Sequence, residues 1–132
     1  MLVKDISNGY KALGAAKVTS LSEEEILKVV KARKALKPHA ESYDAFMDDL
    51  REKMKPEGFD EIQKKIQTQE KLSSQELSIL YDYDKKVLSA SKEEREKDLE
   101  VAIEKLDNKV SAKIIKENGW TFDELEALSF LF

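Results

Sequence analysis

One apolar face that holds its phase from residue 22 to residue 54 constrains this chain more than any other feature. Ile26, Val29, Val30, Leu36, Ala40, Tyr43, Phe46, Met47, Leu50 and Met54 fall at helical spacing, which lines side chains along one side of an α-helix. The pattern predicts one element about eight turns long. Ser22 and Glu25 open it as a capping box: the serine oxygen accepts from a free backbone N–H, and the glutamate reaches back. Glu23, Glu24 and Glu25 in the first turn suit the positive end of the helix dipole. Pro38 stands midway. It lacks an N–H and its ring presses on the turn before, so a kink or break is expected near Leu36 and Lys37. The stripe keeps its phase across Pro38, which favours a kink.

The other segments repeat this grammar. Val3, Ile6, Tyr10 and Leu13 share a face over residues 3–16, a helix weakened by Gly9 and fraying at Gly14. Pro56 and Gly58 mark a turn. Phe59, Ile62 and Ile66 then begin another amphipathic helix. Ser73 and Glu76 form a second capping box, ahead of Leu77, Leu80, Tyr81, Asp84, Val87 and Leu88. Asp84 is a charged exception at the edge of that stripe. Of Tyr81 and Tyr83, which face different ways, one is expected in the core and one outside. Residues 91–97 are nearly all charged and read as solvated. Val110, Ile114 and Ile115 give a short helix stopped by Asn118 and Gly119. Thr121 and Glu124 form a third capping box before Leu125, Leu128, Phe130, Leu131 and Phe132. Residues 98–106 are ambiguous. Leu99, Ile103 and Leu106 suit a helix, whereas Leu99, Val101 and Ile103 alternate with Glu100 and Glu104 as in a strand. Composition tips the balance towards helix.

Composition excludes several kinds of chemistry. There is no cysteine, so disulfides, thiolate metal sites and cysteine nucleophiles are absent. The net charge of −4 gives the whole chain no general attraction to nucleic acid. The charge is mildly uneven: residues 1–56 carry 11 basic and 9 acidic side chains, and residues 57–132 carry 12 and 18. No run approaches the ~20 apolar residues of a membrane span, and the first residues lack the order of a secretory signal. A cytoplasmic location is the expectation, with no membrane association.

Catalytic candidates are thin. His39 is the sole histidine, and Glu41, two residues on, faces elsewhere on a helix. The acid pairs Asp44/Asp48, Asp48/Asp49 and Asp82/Asp84 read as solvated faces in a chain that is 38% charged. The four glycines are too scattered to cradle a nucleotide. These patterns predict a protein that is not an enzyme and needs no cofactor or metal. Two binding candidates stand out. Lys28, Lys31, Lys34 and Lys37, with Arg33 among them, form a run with no acid inside it. Such a face can track phosphates, or it can be a solvated face paired with nearby acids. At the other end, Leu128, Phe130, Leu131 and Phe132 form an apolar cluster where chain ends are usually polar. It either docks on its own core or meets another chain. Trp120 is expected to pack beneath it.

Three segments, read in order, resemble a known group. They are Ser7-Asn8-Gly9-Tyr10-Lys11-Ala12-Leu13, Val30-Lys31-Ala32-Arg33-Lys34-Ala35-Leu36-Lys37-Pro38 and Trp120-Thr121-Phe122-Asp123-Glu124-Leu125-Glu126-Ala127-Leu128. Together they resemble a family of short, uncharacterised helical proteins of tailed phages and prophages. The resemblance spans about half the chain. It implies a phage or prophage origin and a short strand near residues 98–106, and it carries no activity or catalytic residue.

These readings converge on a mainly α, single-domain bundle over residues 1–132. It has five or six helices around a long kinked one, with room for a minor strand near 99–104. The expected core is Leu13, Ile26, Leu36, Phe46, Leu50, Ile62, Leu80 and Leu106. The expected function is a non-catalytic protein–protein interaction or assembly module that meets an unknown partner or itself. A nucleic-acid-binding regulator using residues 28–37 is the alternative.

Overall fold

Each of the three capping boxes starts a helix. Glu25 N–H donates to the Ser22 hydroxyl at 3.3 Å while Ser22 N–H donates to the Glu25 carboxylate at 2.9 Å. Ser73 with Glu76, and Thr121 with Glu124, make the same reciprocal pair. A fourth cap, at Asp107, accepts from Val110 N–H at 2.9 Å. The computed structural model describes residues 1–132. It contains α1 (Val3–Gly14), α2 (Glu23–Lys53), α3 (Phe59–Gln67), α4 (Ser74–Ala90), α5 (Lys92–Arg95), α6 (Asn108–Asn118) and α7 (Phe122–Ala127), then a 3-10 turn, Ser129–Leu131. The mainly α fold with one long helix is therefore as the sequence indicates.

α2 runs unbroken through Pro38. Proline cannot donate to the carbonyl of Lys34, but both residues are exposed, so that carbonyl is open to water. Gly119 ends α6 with φ of 58°, and Gly58 precedes α3 with φ of 78°; both are left-handed conformations that favour glycine.

The chain was expected to form one domain over 1–132. Two compact units are distinguished within it, Met1–Asp44 with Glu94–Phe132, and Ala45–Glu93, with the boundary inside α2. The first unit is built on Ile6, Leu13, Leu21, Val29, Ala32, Leu36, Leu106, Val110, Ile114, Leu128 and Leu131, all buried and packed as one cluster. Residues 99–107 form neither helix nor strand. The helical preference there fails. The strand alternative is realised only as alternation: Leu99, Val101 and Ile103 pack on the core, while Glu100, Ala102 and Glu104 face out. A strand needs a partner along its length. Here the strand-like pairing stops at the first residues, with a single Leu2–Asp98 bridge and the Leu99 N–H to Met1 carbonyl bond of 2.8 Å.

The second unit has a smaller core of Met47, Phe59, Ile62, Tyr83 and Val87. Phe59 and Tyr83 lie 4.6 Å apart, tilted by 51°, a favoured arrangement for aromatic rings. The Tyr83 hydroxyl donates to the Arg51 carbonyl at 2.7 Å. Lys65 on α3 pairs with Glu76 on α4 at 2.9 Å. Of the expected core, Leu13, Leu36, Ile62 and Leu106 are buried, whereas Ile26, Leu50 and Leu80 are half-buried. Phe46 is 37% exposed: its stripe is wider than the surface available to cover it. The charged stretch 91–97 contains the short α5, preceded by a fully buried Ser91.

Candidate functional site

The apolar C-terminal cluster is core. Leu128 and Leu131 are fully buried, and Leu106 N–H donates to the Leu131 carbonyl at 2.7 Å. Phe130 lies over α1, where a Cβ on Gly9 would stand 2.7 Å from its ring. Phe132 tilts against Trp120 with ring centroids 6.2 Å apart, so the expected packing of Trp120 holds. Of the candidate partner surface, Leu128 and Leu131 are therefore core, whereas Phe130 and Phe132 are half-buried and pack against that core. Gly9 was the sequence signal for this. It reads as a weakness of α1 until its missing side chain is seen to admit a ring.

The basic run is not a row of free cations. Lys28 reaches Glu104 at 3.5 Å and Lys37 reaches Glu41 at 3.8 Å. Lys31 and Lys34 are exposed and form no ion pair. The residue that matters most was the one between them. The Arg33 guanidinium sits 3.9 Å above the Tyr10 ring centre, and its Nε donates to the Tyr10 carbonyl at 3.3 Å. Tyr10, Val30, Arg33, Lys34 and Lys37 line a groove of about 290 Å³.

A different apolar surface lies on α4, where sequence reading merged two stripes into one. Leu80, Tyr83 and Val87 turn towards the core of their unit. Leu77, Tyr81 and Leu88 stand one residue round the helix and are 53%, 68% and 56% exposed. Their spacings of four and seven keep them on one face. Asp84 falls in the same line, exposed and in no ion pair. Tyr83 is thus the core tyrosine and Tyr81 the outer one, and burial pushes the Tyr83 phenol above its ordinary pKa.

The polar clusters have structural roles. Glu117, near the end of α6, accepts from the hydroxyls and N–H groups of both Thr19 and Ser20, with the Ser20 hydroxyl at 2.6 Å. The Ser20 and Thr19 hydroxyls hold its pKa down at about 2. Glu25 is held low first by the Ser22 N–H and then by Lys113, 3.7 Å away. Asp44, Asp48, Asp49, Asp82 and Asp84 are all exposed, without the desolvation that tunes a catalytic acid. No group of three or more histidine, aspartate or glutamate side chains is disposed to hold a metal ion. No helix is long and apolar enough to cross a membrane. No family model, curated protein or solved structure matches the chain.

Proposed function

We propose that the chain is a non-catalytic association module and that α4 docks through Leu77, Tyr81 and Leu88 onto a second copy of itself. The observation that carries this is the outward stripe: three large apolar side chains, more than half exposed, aligned beside a separate buried stripe on the same helix. Large aligned apolar groups on a surface mark contact sites, whereas scattered single ones do not.

The order of residues on the stripe selects the occupant. An antiparallel copy, with its two-fold axis between Asp82 and Tyr83, sets Leu77 against Leu88 of the second copy. The same register sets the Tyr81 hydroxyl against the Asp84 carboxylate of the second copy, a donor facing a charged acceptor. A parallel copy would oppose Asp84 to Asp84, two like charges at one layer. A stripe this short is below the size of a standard stable interface, so dissociation constants of order 10–100 µM are expected.

The resemblance to short phage and prophage proteins supplies the setting proposed for such a module. The segments that carry it meet within one unit, Gly9 against Ala127 and Tyr10 against Arg33, so it speaks to the fold rather than to the α4 surface.

The absence of cysteine makes the test clean. Leu77→Cys and Leu88→Cys variants, mixed and treated with a short bis-maleimide, should give a cross-linked heterodimer. Either variant alone should give little. Efficient 77-to-77 cross-linking would replace the antiparallel register with a parallel one. A monomeric mass at millimolar concentration, with no cross-link in any mixture, would remove the second copy as occupant.

A further inference from the structure

We infer that the groove between α1 and α2 binds a phosphate monoester, its dianionic head on Arg33, Lys34 and Lys37 and its apolar body on Tyr10 and Val30. This site is separate from the α4 stripe and does not depend on it.

Arg33 is the starting point. It is half-buried, yet no carboxylate pairs with it. A partly desolvated charge without a counter-ion is costly, and an arriving anion removes that cost. The guanidinium is also fixed in advance. Its Nε is bound to the Tyr10 carbonyl and its central carbon lies 3.9 Å from the Tyr10 ring centre. Gly14 leaves room for one terminal nitrogen: a Cβ there would stand 2.7 Å from it. The terminal N–H groups can take a phosphate in the fork geometry that suits arginine. Little ordering is left to oppose binding.

The surroundings set the ligand class. Lys34 is unpaired, and Lys37 is held only loosely by Glu41 at 3.8 Å. Three cations around one head group favour a dianion over a single carboxylate. The Tyr10 ring and the exposed Val30 give an apolar floor, and about 290 Å³ accommodates a head group and roughly one ring. A nucleic-acid backbone fits less well. Lys28 is committed to Glu104, and Lys31 does not line the groove, so the cations converge on one point rather than track a strand.

The experiment is an NMR titration of the full chain with phenyl phosphate. Shifts are expected at the Arg33 Nε–H, the Tyr10 ring and the Val30 methyls. Inorganic phosphate and benzoate should each bind at least about tenfold more weakly. Lys34→Gln should weaken phenyl phosphate about tenfold, the loss of one hydrogen bond to a charged group. Arg33 also braces α1, so Arg33→Gln risks the fold. Gly14→Ala serves instead, because it displaces the guanidinium while leaving a good helix former at the end of α1, and it should weaken binding at unchanged melting temperature. No localised shifts at millimolar phenyl phosphate would overturn the inference, as would equal affinity for inorganic phosphate. Tighter binding of a short single-stranded DNA that depends on Lys28 and Lys31 as much as on Lys34 would overturn it in favour of a nucleic-acid surface.

Discussion

In the unit formed by Met1–Asp44 and Glu94–Phe132, eleven buried side chains pack into one cluster, and loops and chain ends alike are tied to it. In Ala45–Glu93, helices of comparable quality turn only five apolar residues fully inward, and Phe46, Ile66, Leu77, Tyr81 and Leu88 remain exposed, against Leu27, Val30 and Phe122 in the larger unit. Helix formation is equally well specified in both. What differs is whether the apolar residues have something to pack against. A sequence pattern reports that a side chain is apolar and which way it points. The supply of opposing surface decides whether it becomes core or contact site.

Truncating leucines tests that contrast most forcefully. Leu128→Ala should destabilise the chain by about 2–5 kcal/mol, because it leaves a cavity at a fully buried position. Leu88→Ala on α4 should change the stability of the monomer by no more than about 0.5 kcal/mol. Chemical denaturation of both variants checks this, and a large cost at Leu88 would mean that the stripe is structural. Gly9→Ala comes next. The added methyl meets the Phe130 ring, so a loss of about 1–3 kcal/mol is expected, partly recovered by adding Phe130→Leu. In the second unit, Tyr83→Phe removes the bond to the Arg51 carbonyl and should cost about 1 kcal/mol. Hydrogen exchange should show that loss in α3 and α4 first, as the less densely packed region opens more readily.

The smallest effect concerns acid. The folded-state pKa of Glu117 lies well below its ordinary 4.5, at about 2. Its bonds to Thr19 and Ser20 therefore stabilise the fold above about pH 4.5, and that contribution fades as the pH falls towards about 2. Glu117→Gln should flatten the melting temperature across that window and leave the slope at higher pH unchanged. A variant as acid-sensitive as the parent would assign the acid response to other carboxylates.

Much of the fold is legible in the sequence because its signals are local. Capping boxes act over three residues, helical stripes over four, and the Asn118-Gly119 stop over two. Residues 98–106 are ambiguous in the sequence because alternation and helical spacing overlap there, and the outcome hangs on whether a distant partner runs alongside. The sites were harder for the same reason. The seat of the Phe130 ring depends on Gly9, more than a hundred positions away. The lysines were visible as a run, but Arg33 matters through Tyr10 and Gly14, which only the fold brings near. The stripe of Leu77, Tyr81 and Leu88 was hidden by its neighbours Leu80 and Val87, which occupy the adjoining face of the same helix.

The bonds from Glu117 to residues 19 and 20 span 97 and 98 positions along the chain. They have a consequence for the order of events as the protein is made. A ribosome adding about 5–20 residues per second releases α1 and the start of α2 several seconds before α6 exists. During that interval Ile6, Leu13, Val29 and Leu36 lack Leu106, Val110, Ile114, Leu128 and Leu131, the later half of their cluster, whereas α3 and α4 already have each other. The small unit is thus placed to fold first. The better-packed unit, which dominates the finished molecule, is the one whose apolar faces wait longest in the open, and the one for which early shelter by a chaperone would matter.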